Sequence, residues 1–209
     1  TSWVDVDEYV EVDVSNGVGD LCTITENVWI SPNGDDDNLG TSDLEAFKTI
    51  KRAFEMIAPK YDDPITINLT EGTFAPSTTG DEFPINMISH VNLIGQGEGV
   101  TILNAEESEA NIRRVISIKH CQNNIISNLT ITGGLAEGEH PDYYGGGIYI
   151  YNSSPTLTHV TISGNTAAYY GGGMYLYSSS PTLIHVTISG NSTPYHSGGH
   201  GGGMYLKSS

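Results

Sequence analysis

With 209 residues and a formal charge of −17 from 25 acidic and 8 basic side chains, the chain lacks the clustered cations that binding to nucleic acid or an anionic membrane would need. No apolar run approaches the roughly 18 residues of a membrane-spanning helix. The charge is confined to the first two thirds: no Asp or Glu follows Asp142, and Lys207 is the one charged residue beyond it.

Residues 1–27 read as an N-terminal β arm and linker. Val4, Val6, Val10, Val12 and Val14 alternate with Asp5, Asp7, Glu11 and Asp13, the period-2 pattern of a strand with one apolar and one acidic face. Such a strand suits either the edge of its own molecule or an arm that adds a strand to a neighbouring subunit. The start at Thr1, without Met or an apolar leader, fits a processed or trimmed product.

Residues 28–62 form a lead-in segment with the one predicted helix. Leu44, Phe47, Ile50, Phe54 and Ile57 make a one-sided apolar stripe; Ser42 and Glu45 have capping-box spacing, and Pro59 ends the run. Placed ahead of the first strands, this helix is expected to cap the open end of a strand-rich body. Just before it, Asp35, Asp36 and Asp37 follow a Pro-Asn-Gly turn. They are either a Ca²⁺ site built from hard oxygen ligands or a solvated turn.

From residue 63 to 209 the chain is read as a stack of β coils. Ile65–Leu69, Val91–Gly95 and the segment 125–134 are strand-like. Then the sequence copies itself: 143–165 (YYGGGIYIYNSSPTLTHVTISGN) and 169–191 (YYGGGMYLYSSSPTLIHVTISGN) differ at four positions, and a third copy opens at Gly201. A fixed repeat of this length signals a solenoid, in which each unit buries its apolar face only against its neighbours. Within a repeat, Ile148 and Ile150 alternate with Tyr149 and Tyr151, and Val160 and Ile162 with Thr161 and Ser163. Leu157 falls out of phase with Val160, which predicts a bend at Thr158–His159. The 26-residue register is too short for a four-stranded propeller blade and suits parallel coils, with Asn165 and Asn191 stacked as a corner ladder. Ile148, Ile150, Leu157, Val160, Ile162, Met174, Leu176, Leu183, Val186 and Ile188 are the predicted core. The slip in register before Gly201 predicts a loop within Ser192–His200. The two cysteines, Cys22 and Cys121, are compatible with one disulfide in an oxidising compartment, worth about 4–5 kcal/mol by chain entropy, or with two unrelated thiols.

The runs Ile30-Ser31-Pro32-Asn33-Gly34-Asp35, Asn38-Leu39-Gly40-Thr41, Phe47-Lys48-Thr49-Ile50, Glu71-Gly72-Thr73-Phe74 and Leu93-Ile94-Gly95-Gln96-Gly97 resemble the start of secreted right-handed parallel β-helix proteins, the pectate-lyase-like superfamily in its broad sense. The G-G-G-x-Y and T-I-S-G-N copies resemble repeats of bacterial surface proteins, including the polymorphic outer-membrane type. The resemblance implies the fold and an extracellular setting. It leaves activity open, because a fold of this kind hosts enzymes, adhesins and scaffolds alike.

Enzymes of that superfamily imply Ca²⁺-binding carboxylates with an Arg or Lys base, or clustered Asp residues, on outward positions. Here the outward positions of the regular coils carry Tyr149, Tyr151, Thr161, Tyr175, Tyr177 and Thr187, and no catalytic residue is assigned. Gly199-His200-Gly201 resembles one polygalacturonase motif without its companion Asp motifs. Arg113-Arg114 follows Glu106, Glu107 and Glu109 and reads as local charge balance or, less simply, a lyase base. His159 and His185 share a phase and form either a backbone-bonded corner ladder or a metal pair. The tyrosine rows Tyr149, Tyr175, Tyr205 and Tyr151, Tyr177 form a strip suited to sugar rings or a partner protein, or to stabilising the sheet by stacking.

The expected protein is therefore an all-β, right-handed parallel β-helix with an N-terminal capping helix and β arm. It is read as a non-catalytic secreted or cell-surface module that is structural, adhesive or self-assembling, with copies of itself, a surface protein or a glycan as partner. A carbohydrate-active enzyme or a glycan-binding β-helix is the alternative.

Overall fold

The computed structural model describes residues 24–108, 112–194 and 199–209. Along the chain, β1 (Val28–Ile30) precedes helix α1 (Ile50–Met56). The first irregular circuits come next, with β2 (Ile65–Leu69), β3 (Gly72–Phe74), β4 (Ile85–Asn86), β5 (Val91–Ile94), β6 (Thr101–Asn104) and β7 (Ile116–Lys119). They lead into β8 (Ile125–Thr132), β9 (Leu135–Ala136), β10 (Ile148–Tyr151), β11 (Thr156–Ser163), β12 (Thr166–Ala167), β13 (Met174–Tyr177), β14 (Thr182–Ser189) and β15 (Met204–Lys207).

One sheet has the order β1-β2-β5-β8-β11-β14, with β3 and β6 attached through β8. A second runs β4-β7-β10-β13-β15, and β9-β12 make a short third. Every strand pair is parallel. Each circuit thus returns the chain beside its previous pass, which is a parallel β-solenoid. The register is Ile148↔Met174 and Tyr149↔Tyr175 in the second sheet and Leu157↔Leu183 and Ile162↔Ile188 in the first. Upstream circuits are longer, Ile85 pairing with Ile116 and Ile116 with Ile148.

The bend sits where the phase break puts it. Asn128, His159 and His185 have φ of 57°, 52° and 52°, a left-handed turn that switches which side of the strand faces inward. The asparagine ladder is also present. Asn165 is fully buried; its Nδ2 donates to Ile131 O (3.0 Å), Ser163 O (3.1 Å) and Asn191 Oδ1 (2.9 Å), while its Oδ1 accepts from Gly134 N (3.0 Å). A second ladder of hydroxyls runs along another corner. Ser153 Oγ donates to Tyr151 O and accepts from Cys121 N; Ser179 Oγ donates to Tyr177 O and accepts from Ser153 N; Ser209 Oγ accepts from Ser179 N.

The helix is shorter than its apolar stripe. Leu44 is 89% exposed, and the chain around Phe47 is extended: Phe47 bridges to Ile30, donates to Trp29 O and accepts from Ser31 N. Ser42 and Glu45 close a local turn instead of a capping box. The cap is Thr49, whose side chain accepts from Arg52 N. The stripe misleads because Phe47 and Ile50 are both buried, one from an extended segment and one from a helix. Asp36 then anchors the turn: its Oδ1 accepts from Lys48 N (2.9 Å) and Thr49 N (2.8 Å), its Oδ2 from Thr49 Oγ1 (2.8 Å), and its carbonyl from Arg52 Nε. Buried Asp81 accepts from Ile50 N and Thr79 Oγ1, and burial pushes its carboxyl up.

One apolar core runs through the stack, from Val28, Ile30, Ile50 and Ala53 to Met174 and Leu176. The lead-in segment therefore shares its core with the coils. Ile148, Ile150, Leu157, Val160, Ile162, Met174 and Leu176 are buried as expected. Leu183 is not: it is 36% exposed, and Val186 and Ile188 are only partly covered, because no strand pairs with the far side of β14 among the described residues. Ser192 still bridges to Thr166 and His200 already bridges to Tyr170, so the extra residues fall between them. The arm residues Val4, Val6, Val10, Val12 and Val14, and Cys22, lie outside the described residues.

Candidate functional site

The Tyr-Tyr-Gly-Gly-Gly motif builds the most distinctive surface. Gly145 and Gly171 have φ of 65°, and a Cβ on Gly146 would collide with Thr166 O of the next corner. Only glycine fits this approach of coil to coil. The close corner places each tyrosine pair directly before the strand that carries the next aromatic row.

The result is a layered wall. Its inner file is Tyr149, Tyr175 and Tyr205, with ring centroids 5.5 and 5.8 Å apart and planes within 7° of parallel. An outer layer covers this file. Tyr144 stacks on Tyr175 at 4.5 Å and Tyr170 on Tyr205 at 4.4 Å, and the Arg114 guanidinium lies 4.6 Å over Tyr149 in the corresponding place. Tyr144, Tyr170 and His200 also form a file of their own, joined by parallel bridges. Outermost are Tyr143 and Tyr169, 4.8 Å apart, with His140 edge-on to Tyr143 and Tyr144.

Burial divides the expected tyrosine strip. The rows do stack at the phases predicted, Tyr151 on Tyr177 at 5.1 Å included, but Tyr149 and Tyr175 are only 4% and 3% exposed. They are the floor of the wall and cannot meet a partner. Tyr151, Tyr177 and Tyr205 are half-buried and keep part of their surface; further accessible surface belongs to Tyr143, Tyr144, Tyr169, Tyr170 and His200, which strand alternation does not single out. The signal was present in the tyrosine doublet that precedes the first two glycine triplets.

Burial pushes the phenol of Tyr175 up to about 12, with neighbouring phenols adding to the shift. Tyr144 and Tyr149 are raised for the same leading reason, although the Arg114 charge opposes the shift at Tyr149. All three stay protonated near neutral pH.

At the Arg114 end the wall opens on a groove of about 420 Å³, lined among others by Phe83, Ile112, Arg113, Arg114, Glu137 and Asp142. Arg114 is buried; its Nη2 donates to Pro141 O (3.0 Å) and faces Asp142 Oδ1 at 3.4 Å, and burial lowers its pKa. Arg113 Nη1 donates to Phe83 O. The charge of Arg114 is thus balanced by Asp142, from a later circuit, and the doublet joins groove to wall; Glu109 lies outside the described residues.

The other candidates are placed apart from this site. Asp35 and Asp37 are exposed, Asp35 Oδ1 accepts from Asp37 N, and Asp36 is committed to backbone donors. Among the described residues no three His, Cys, Asp or Glu side chains are grouped to hold a metal ion. His159 and His185 stack at 4.9 Å on an exposed corner. Cys121 is a buried thiol, its Sγ 3.1 Å from Met87 O and 3.2 Å from Lys119 O. No described helix is long and apolar enough to cross a membrane. A family model described as a protein of unknown function (DUF1565) matches residues 32–204. No curated protein and no solved structure matches the chain.

Proposed function

The chain belongs to the DUF1565 family, and from that premise we propose that it is a non-catalytic β-helix module, secreted or displayed on a cell surface, that adheres to a glycan through the tyrosine wall. The observation that carries this reading is the outer aromatic layer: Tyr143 and Tyr169, then Tyr144, Tyr170 and His200, repeat from coil to coil on the outside of a rigid scaffold. Sugar rings lay their C–H faces on such planes, and an aromatic of this kind loses little conformational freedom on binding. A file that recurs with every coil offers successive subsites at about 4.8 Å. The resemblance to the pectate-lyase-like superfamily and to surface-protein repeats supports the extracellular setting.

Affinity electrophoresis of the purified protein in gels cast with a panel of neutral and acidic polysaccharides tests this. Retardation by at least one glycan, lost in a Tyr143→Ala, Tyr169→Ala double variant whose melting is unchanged, is the expected result. Retardation by none of the panel would remove the adhesive reading. The groove, with two guanidiniums and two carboxylates together, favours a carbohydrate-active enzyme as second reading. Release of reducing ends or unsaturated products from any of these glycans would replace adhesion with catalysis.

A further inference from the structure

We infer that the glycan is an uncharged one, and that one of its pyranose units sits in the groove lined by Arg113, Glu137 and Asp142, beside the Arg114–Asp142 pair, while its neighbours lie on the wall. The inference rests on the glycan-binding reading and names the class of ligand within it. It stands on three features of the same place. The groove, at about 420 Å³, lies in the range of roughly 300–1,000 Å³ typical of small-ligand sites.

Its charges are balanced. Arg113 and Arg114 are matched by Glu137 and Asp142 in the same lining, and the buried Arg114 faces the exposed Asp142 carboxylate at 3.4 Å. An acidic saccharide entering there would displace or oppose those carboxylates, and it would approach a chain of net charge −17. Hydroxyl groups ask for the opposite arrangement, in which forked donors and carboxylate acceptors lie side by side and each hydroxyl both gives and takes a hydrogen bond.

The third feature is continuity. Arg114 is stacked on Tyr149 at 4.6 Å, and Asp142 directly precedes Tyr143 and Tyr144 in the chain. A chain of sugars leaving the groove is therefore delivered onto the aromatic layer. The apolar part of the lining, Phe83 and Ile112, offers the C–H face of the ring a dry contact.

Titration of the intact protein with soluble uncharged glycans (a β-glucan, a mannan and a xylan), with polygalacturonate and with chitosan, each at low and at high NaCl, separates the possibilities. The expected result is binding of at least one uncharged glycan with less than about a twofold change in affinity across the salt range, since no net charge is being paired. Asp142→Asn should weaken that binding about tenfold or more and, by leaving the groove net positive, raise binding of polygalacturonate. Glu137→Gln, tested separately, should move both affinities the same way and covers the case in which the Asp142 variant disturbs Arg114. Preferential, salt-sensitive binding of polygalacturonate or chitosan by the unaltered protein would overturn the inference while leaving glycan adhesion standing. Uncharged binding that survives both substitutions but is lost in Tyr169→Ala would place the ligand on the wall alone and overturn the groove. Binding of no glycan would overturn the adhesive reading itself.

Discussion

The coil formed by β11, β12 and β13 and the one begun by β14 carry almost the same residues on almost the same backbone, yet they live in different environments. Leu157, Val160 and Ile162 are fully buried; Leu183, Val186 and Ile188, their partners in register, are 36% exposed in the first case and only partly covered in the others. Asn165 is enclosed and bonded to both neighbouring coils, whereas Asn191, at the same phase, is half-buried. Burial in a solenoid is therefore a property of having a coil on each side. The residue type sets which way a side chain points, and the stack decides what that direction is worth.

Charge placed at the two equivalent positions should break this comparison most sharply. Ile162→Asp buries a carboxylate with no partner and is expected to cost roughly 3–5 kcal/mol, whereas Ile188→Asp keeps access to water and should cost about 1 kcal/mol. Thermal melting of both variants measures this, and equal losses would mean that β14 is covered in solution. Leu157→Ala should come next with about 2–5 kcal/mol, against less than about 1 kcal/mol for Leu183→Ala, since a cavity forms only where surroundings close around it. Urea midpoints for the pair would show the gap. For the ladder, Asn165→Ala strands buried donors and acceptors at about 1–3 kcal/mol, and Asn191→Ala should lose less. Hydrogen exchange at the amide of Gly134, whose hydrogen bond Asn165 accepts, and at the amide of residue 165, whose hydrogen bond Asn191 accepts, reads the two losses separately.

Alkali gives a gentler test. The Tyr175 phenol is held near 12 in the folded protein against an ordinary 10.0, so the folded state binds its proton more tightly. Its contribution is complete below pH 10 and is lost as pH rises from about 10 through about 12. Stability should fall over that window, and Tyr175→Phe should flatten the fall. Smallest is the opposite end of the stack: Asp36→Ala should cost about 1 kcal/mol through the lost cap contacts, equally with calcium or with a chelator. A calcium-dependent loss would support the Asp35–Asp37 turn as a Ca²⁺ site.

Much of the architecture was legible because solenoid order is local. The alternation Ile148, Ile150 and the phase break before Val160 specify strand faces and the corner at His159 without knowledge of distant contacts. The helix was overextended for a reason of the same kind: Phe47 and Ile50 satisfy a helical stripe, but Phe47 is drawn into a bridge with Ile30, a pairing that sequence spacing cannot reveal. The site was less legible still. Alternation correctly sends Tyr149 and Tyr175 out of the core, yet it says nothing about what lies over them. The cover comes from Tyr144 and Tyr170 through a glycine corner, and Arg114 joins them from a different circuit.

The serine corner has a direction. Ser153, Ser179 and Ser209 each receive the N–H of the residue one circuit earlier, so a change at one of them is felt by the coil that precedes it. Replacing Ser179 with Ala would orphan the amide of Ser153 and leave the amide of Ser179 itself still bonded to Ser209. The same arrangement makes the repeat a unit of length. A duplicated 26-residue block set between Ser153 and Ser179 would present the acceptor its predecessor needs and the donor its successor expects, as the register Ile148↔Met174 already does. The rod could thus be lengthened by about 4.8 Å per block without opening a single corner, and the span of its aromatic wall would grow in the same steps.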